Sequence, residues 1–363
     1  MSSADHPGRG RANGATAAAS APAQRRRPRI AVIGTGGTFA MHARHRFDWV
    51  EYAESGVVHP IDDLLRTLGD IAPDVELLPL SFRSLGSVSI GPDDWLALAR
   101  LIHQNAARDP GIDGFVVTHG TATLEETAWF LSLALSLDAP VVLTGAQRPA
   151  NTAGSDVAAN LRAAVAVASA PASRGAGVLV VMDGLVFDAR DVSKASSFEL
   201  NAFEAPPFGP LARVDADAQV VWRRHALTDA RRAAALAAPG LLAAETQVDW
   251  PRVDIVLSYA GADRVVIDAL VAAGTRAIVC AGLAPGRPAS GEFGAYVDAV
   301  HAGVVVVQAT RVPRGSVPVQ RFLQAAGILA GGDLSPQKLR IALLLALRRS
   351  ADAAALQDLL LSL

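Results

Sequence analysis
Cysteine is nearly missing from this chain of 363 residues: Cys280 stands alone, which excludes an intramolecular disulfide and a cysteine-rich metal site and fits a reducing compartment. Its place in the apolar run Arg276 to Cys280 makes it a small core residue. No uninterrupted apolar stretch reaches membrane-spanning length, because Arg348 and Arg349 stop the longest C-terminal helical pattern. The first 28 residues are rich in Ala, Gly, Ser and Arg and lack the apolar core of a secretory signal. We expect a disordered tail over 1–28 and a cytoplasmic protein. Charge is also sparse. The net value is −2, but that tail holds five arginines against Asp5 alone, so it carries +4 and the remainder −6. No basic stripe with interleaved aromatics follows, which argues against nucleic acid as a partner.

What is present is 51% hydrophobic sequence, enough for two domains, each with its own core. From Arg29 onward strand and helix patterns alternate, the signature of an α/β fold with a parallel sheet and crossover helices. Strands are expected at Ile30 to Ile33, Val75 to Leu80, Gly114 to Thr118, Pro140 to Thr144 and Val178 to Met182. The clearest helices are Pro92 to Asn105 and Thr123 to Ser136, the second opened by a capping box of Thr123 with Glu126. Regularity falters between about Val221 and Trp250, where arginines alternate with alanines and Pro239-Gly240 breaks the pattern. A second series follows, with strands at Asp254 to Tyr259, Ala277 to Cys280 and Val304 to Gln308. Its last helix starts at Ser335-Pro336, an N-cap followed by proline at the first helical position. The expected division is 29–222 for the larger catalytic domain, 223–250 for a linker and 251–363 for a smaller domain.

Two threonines sit on glycine-rich turns that directly follow buried-type strands: Gly34-Thr35-Gly36-Gly37-Thr38-Phe39-Ala40 and Thr118-His119-Gly120-Thr121-Ala122-Thr123-Leu124-Glu125-Glu126. Carboxyl ends of central parallel strands are where open α/β sheets place ligands, so Thr38 and Thr121 are expected to face one cleft. A threonine hydroxyl is a poor nucleophile at neutral pH and needs a base or a lysine whose charge burial discourages. Lys194, in Asp188-Ala189-Arg190-Asp191-Val192-Ser193-Lys194, is the candidate. Taken singly, a lysine in a loop is usually solvated and a threonine after Gly-Gly is usually a turn residue. His119 reads as a packing or hydrogen-bonding residue, Glu125 and Glu126 as partners of a helix N-terminus. His42 and His45, three apart without a carboxylate cluster, make a weak metal signal, and no metal is expected.

The order of these segments resembles the bacterial-type L-asparaginase and glutaminase-asparaginase family over nearly everything from Arg29 to Leu363. The carriers are Thr35-Gly36-Gly37-Thr38-Phe39-Ala40, His119-Gly120-Thr121-Ala122-Thr123-Leu124-Glu125-Glu126-Thr127-Ala128, Thr144-Gly145-Ala146-Gln147-Arg148-Pro149, Ser155-Asp156 with Asn160-Leu161, Arg190-Asp191-Val192-Ser193-Lys194, and Ser335-Pro336-Gln337-Lys338. The resemblance implies a two-domain fold with a flavodoxin-like C-terminal domain and the active cleft between the domains. It also implies a cofactor-free amidohydrolase acting on a small amide. Thr38 would attack the side-chain amide, ammonia would leave, and water would hydrolyse the acyl-threonine ester. Thr121 and Lys194 would activate that water or relay its proton, Tyr52 would assist Thr38, and Ser87 would hold the substrate α-carboxylate. Backbone amides of the turns at Gly37 and Gly120 would stabilise the oxyanion. Homodimers or homotetramers with shared sites are implied too.

Departures from the family pattern cluster on one part of the substrate. The aspartate that recognises the α-ammonium is replaced by Ala122, and the glutamine that assists it by Val88; the residues a neighbouring subunit supplies align with Gln320 and Gly261. Burying an ammonium against Val and Ala without a counter-charge costs several kcal/mol. One reading is therefore an asparaginase that tolerates the change. Another is an amidase for a substrate without a free α-ammonium, and a third is a ligand-binding homologue without turnover. A dinucleotide-binding turn at Gly34-x-Gly36 is a weaker match, since the third glycine is missing and the strand near Val75 to Leu80 ends without a ribose-binding acid.

Overall fold
The computed structural model describes residues 26–225, 236, 240–243, 247–349 and 352–363. The tail expected over 1–28 lies mostly outside the described residues, and the linker expected over 223–250 lies partly outside them. The chain forms two α/β domains. The larger carries an eight-stranded sheet built from β1 (Arg29–Gly36), β2 (Glu76–Leu85), β3 (Gly114–Thr118), β4 (Val141–Thr144), β5 (Val178–Met182), β6 (Leu185–Asp188), β9 (Ala212–Val214) and β10 (Val220–Trp222), in spatial order β10-β9-β6-β5-β4-β3-β1-β2. Strands β1 to β5 are parallel to one another, whereas β6, β9 and β10 add an antiparallel edge that starts at the β5–β6 pair. The short pair β7 (Ser193–Lys194) and β8 (Phe203–Glu204) stands apart.

The central strands read as continuous Val/Ile/Leu because both faces are covered. On one face lie α1 (Ile61–Leu68) and α4 (Val157–Ser169), packing Ile61, Leu64, Val157 and Leu161 against Ile30, Val32 and Val142. On the other lie α2 (Pro92–Arg108) and α3 (Leu124–Ala134), packing Trp95, Ile102, Trp129 and Phe130 against Ile33, Phe115 and Leu143. Sequence periodicity understates α4 because most of its side chains are buried and leave it little polar face.

The smaller domain has a parallel sheet of β11 (Val253–Leu257), β12 (Ala277–Gly282), β13 (Val305–Thr310) and β14 (Leu329–Ala330). Around it lie α5 (Val265–Ala272), α6 (Ser290–His301), α7 (Arg321–Gln324), α8 (Pro336–Ala346) and α9 (Ala353–Ser362). Ser335 caps α8 as expected, accepting the Lys338 N–H, but α8 is not the last helix, because Ala353–Ser362 forms α9 after it. Each domain holds a core of its own, around Ile30, Val116 and Leu161 in the larger and around Ile278, Tyr296 and Val306 in the smaller, but the largest apolar cluster joins them: it runs from β3 and α3 through α8 into β11 and β12, and the Trp129 indole N–H donates to the Lys338 carbonyl at 3.0 Å. Cys280 is buried, with its thiol pushed up to about 11 by desolvation, as suits a core residue. No helix among the described residues is long and apolar enough to cross a membrane.

Candidate active site
Strand β1 is bonded to β2 on one side and β3 on the other, so the connections diverge at the carboxyl ends of β1 and β3 and leave a crevice there. Two glycines let the turns after these strands meet. A Cβ on Gly37, whose φ is +71°, would sit 2.3 Å from the Gly120 Cα, and a Cβ on Gly120 would sit 2.6 Å from the Ser87 Cβ. The Thr35 hydroxyl ties the turns together by donating to the Thr118 carbonyl at 3.0 Å. Thr38, Thr121 and Ser87 are thereby gathered at one edge of the sheet, and both threonines are 6% exposed.

The Thr38 hydroxyl lies 2.6 Å from the Tyr52 hydroxyl. Tyr52 opens a single 3₁₀ turn, Tyr52–Ser55, in the segment 42–57, whose base is closed by the Met41–Val58 bridge and by the His42 N–H donating to the Val57 carbonyl. That segment is docked on the neighbouring loop by Asn151, which bonds both backbone groups of Ala43, and by Arg148 stacked 4.2 Å above Trp49. His42 pairs with His59 at 3.1 Å and not with His45. Among the described residues there is no group of three or more His, Cys, Asp or Glu that could hold a metal.

Around Thr121 a second set of contacts forms. Lys194 Nζ donates to the Thr121 hydroxyl at 2.7 Å and to the Gln147 amide oxygen at 3.3 Å, and the Thr121 hydroxyl donates to that same oxygen at 2.9 Å. The Lys194 backbone N–H donates to the Glu125 carboxylate at 2.8 Å. Burial lowers the Lys194 pKa from its ordinary value, opposed by the nearby Glu125 carboxylate. The loop that carries Lys194 is braced from the smaller domain: Lys338, 2% exposed, donates to the carbonyls of Arg190 and Val192. Of the 33 lysines and arginines in the chain, only Lys194 and Lys338 are lysines, and both are at this site. That scarcity is a compositional signal that would have singled out Lys338. Gln147 was legible only as part of a motif.

His119 is fully buried. Its Nδ1 faces the Gly120 carbonyl at 2.8 Å, and its Nε2 faces the Thr127 hydroxyl at 2.9 Å, which itself accepts the Trp95 indole N–H. A ring nitrogen against a carbonyl must carry the proton, so the ring is the neutral Nδ1–H tautomer, and desolvation holds its pKa down at about 4. It orients the Gly120 peptide and is not placed to act as a base. The capping box expected of Thr123 does not form: its hydroxyl donates instead to the Ser87 carbonyl at 2.8 Å, tying the two substrate-side segments together. Glu126 is pushed up by burial and by the neighbouring Glu125. Val88 is 87% exposed, and Ala122 is exposed as well, so neither position brings a charge to the crevice. Gln320 is occupied with Arg287 and the Pro285 carbonyl. A cleft of about 460 Å³ between the domains is lined by Lys194 and Glu125 and by Glu204, Leu257 and Arg311, but not by Thr38 or Thr121. The crevice thus lies at the sheet edge, and the interdomain cleft meets it from the Lys194 side.

An open parallel sheet with two hydroxyl-bearing turns in contact and a half-buried lysine reaching one of them from a separate strand is the arrangement of an amidohydrolase. The family model for the asparaginase N-terminal domain matches residues 29–228 and that for the glutaminase/asparaginase C-terminal domain residues 252–360. The chain belongs to the asparaginase family. It is 33% identical to L-asparaginase 2 of Escherichia coli K12, covering 92% of each chain, and 33% identical to L-asparaginase 2 of Bacillus subtilis 168, covering 93% of this chain and 88% of that one. The solved structure of a probable cytoplasmic L-asparaginase from Campylobacter jejuni superposes with a TM-score of 0.83 at 32% identity, covering 92% of this chain and 99% of that one.

Proposed function
We propose that the protein hydrolyses a side-chain amide, L-asparagine or a close relative, through an acyl ester on Thr38. The observation that carries the reading is the pair of polarised hydroxyls on touching turns, Thr38 with Tyr52 at 2.6 Å and Thr121 with Lys194 at 2.7 Å. Thr38 Oγ1 bonds to the amide carbon while its proton passes to the Tyr52 hydroxyl, which hands its own proton on to the amide nitrogen. The C–N bond then breaks and ammonia leaves. Water, deprotonated by the Thr121–Lys194 pair, attacks the ester carbon and returns Thr38 as the hydroxyl. Ser87 binds the carboxylate end of the substrate, and backbone N–H groups of the two turns face the oxyanion. Domain bounds of 29–222 and 251–363 accord with this division of labour.

Ala122 and Val88 favour a second reading, in which the preferred amide lacks a free α-ammonium, because a methyl and an isopropyl group stand where a counter-charge is needed. An ammonia-release panel of L-asparagine, D-asparagine, L-glutamine, succinamic acid and N-acylated asparagines ranks the two. Activity on none of them overturns the amidase reading and leaves a ligand-binding role. We also infer a dimer or tetramer with shared sites, supported by Tyr259, Val265 and Val266 standing exposed on the smaller domain. A fully active monomer in sedimentation would refute it. The buried, unpaired cysteine supports the cytoplasm as the compartment.

A further inference from the structure
We infer that Gln147 is a positioning residue: its amide oxygen accepts the hydrogen bond of the Thr121 hydroxyl in the resting site and so sets Lys194 as the donor to Thr121. The orientation of this amide is determined by its surroundings. Its Nε2 donates to two backbone carbonyls, Glu199 at 3.0 Å and Ser197 at 3.4 Å, so Oε1 must face Thr121 and Lys194. Its backbone N–H is anchored on the buried Asp156 carboxylate at 2.9 Å. An amide oxygen can only accept, so the Thr121 hydroxyl donates to it and its lone pairs are left for Lys194. Donation therefore runs one way, from Lys194 to Thr121 to Gln147 to the backbone.

For Lys194 to take a proton from Thr121, the hydroxyl must turn away from Oε1. A Lys194 N–H, already 3.3 Å from that oxygen, then replaces it. Gln147 keeps a donor in both arrangements, so no buried acceptor is orphaned when the proton moves. The other charged groups around Lys194 are Glu125 on α3, Arg190 and Asp191 in the loop before it, Glu204 on the paired strand and Lys338 on α8, with Asp156 behind Gln147.

The inference deepens the amidase reading and rests on it for its catalytic meaning, but its test reads Lys194 itself. Competitive acetylation with acetic anhydride across pH, followed by peptide mass spectrometry, gives the Lys194 titration midpoint. Lys338 is the only other lysine, and its protection reports an intact fold. In Gln147→Met the ammonium loses an acceptor while staying half-buried, so the midpoint falls below the parental value. With it kcat drops about tenfold or more while KM holds, as expected for a lost hydrogen bond to a charged group. If Gln147 merely fills space, the midpoint stays, or rises toward that of free lysine as the pocket loosens; either result overturns the inference. Should Gln147→Met expose Lys338, the parent decides: with selective ¹⁵N-glutamine labelling, the Gln147 side-chain amide signal must move with the Lys194 midpoint, and a signal flat through it refutes the assignment. A parent that releases no ammonia defeats the amidase reading alone, since the midpoints are measured without turnover.

Discussion

Replacing Lys338 by methionine removes the brace behind the catalytic loop, and its cost should depend on pH in a direction the structure dictates. The Lys338 amine is buried in the first turn of α8, where the helix dipole opposes a cation, and desolvation pushes its pKa down to about 8 from an unfolded value of 10.5, despite help from Glu125, Asp191 and Asp188. Two carbonyl acceptors are the number a neutral amine can serve with its two N–H groups. Between pH 8 and 10.5 the unfolded chain binds the proton and the folded one does not, so this group makes stability rise with pH across that window and contributes no slope below it. The shift amounts to about 3 kcal/mol. Orphaning two buried carbonyls costs about 2 to 6 kcal/mol together, and at pH 7 loss of the desolvated charge offsets about 3 kcal/mol of that. Urea unfolding of parent and Lys338→Met from pH 7 to 10.5 should therefore show a stability gap that widens by about 3 kcal/mol toward high pH. A gap that stays constant, or narrows, refutes the reasoning.

Other expectations follow from the crevice. Ala122→Asp should raise the preference for L-asparagine over succinamic acid by about tenfold or more through KM, since it restores a charge-assisted contact worth about 1.5 to 3 kcal/mol. An unchanged ratio, also with Val88→Gln added, means another group already meets the ammonium. Gly37→Ala should abolish ammonia release and lower the melting temperature, because φ +71° alone costs a side chain about 1 to 3 kcal/mol and the new Cβ lands 2.3 Å from backbone that cannot yield. Retained activity in that variant would show that the turns need not touch.

How far the sequence reached depended on how local each cause was. The gathering of Thr38 and Thr121 at the carboxyl ends of β1 and β3 was legible because a buried strand followed by glycines leaves few alternatives. Lys194 was legible only together with them, since a lysine in a polar loop carries no signal of its own. The role of Gln147 is not legible from its motif because it depends on Thr121, 26 positions away, and on carbonyls about twice as far. Thr123 was read as a cap because the Ser87 carbonyl that takes its proton is 36 residues upstream. The antiparallel edge of β6, β9 and β10 was missed because its strands are only three or four residues long, too short for alternation to register. The apolar cluster that joins the two domains is a tertiary fact: α3 and α8 each look like an ordinary buried helix.

The decisive experiment is a rapid acid quench of the parent during turnover of its best amide, with the digest searched for an ester-linked acyl group. The mechanism predicts the added mass on the peptide containing Thr38, its disappearance together with ammonia release in Thr38→Ala, and its accumulation in Lys194→Met, where the ester forms but water is not activated. An adduct on another residue, or a Thr38→Ala protein that turns over at the parental rate, would contradict it.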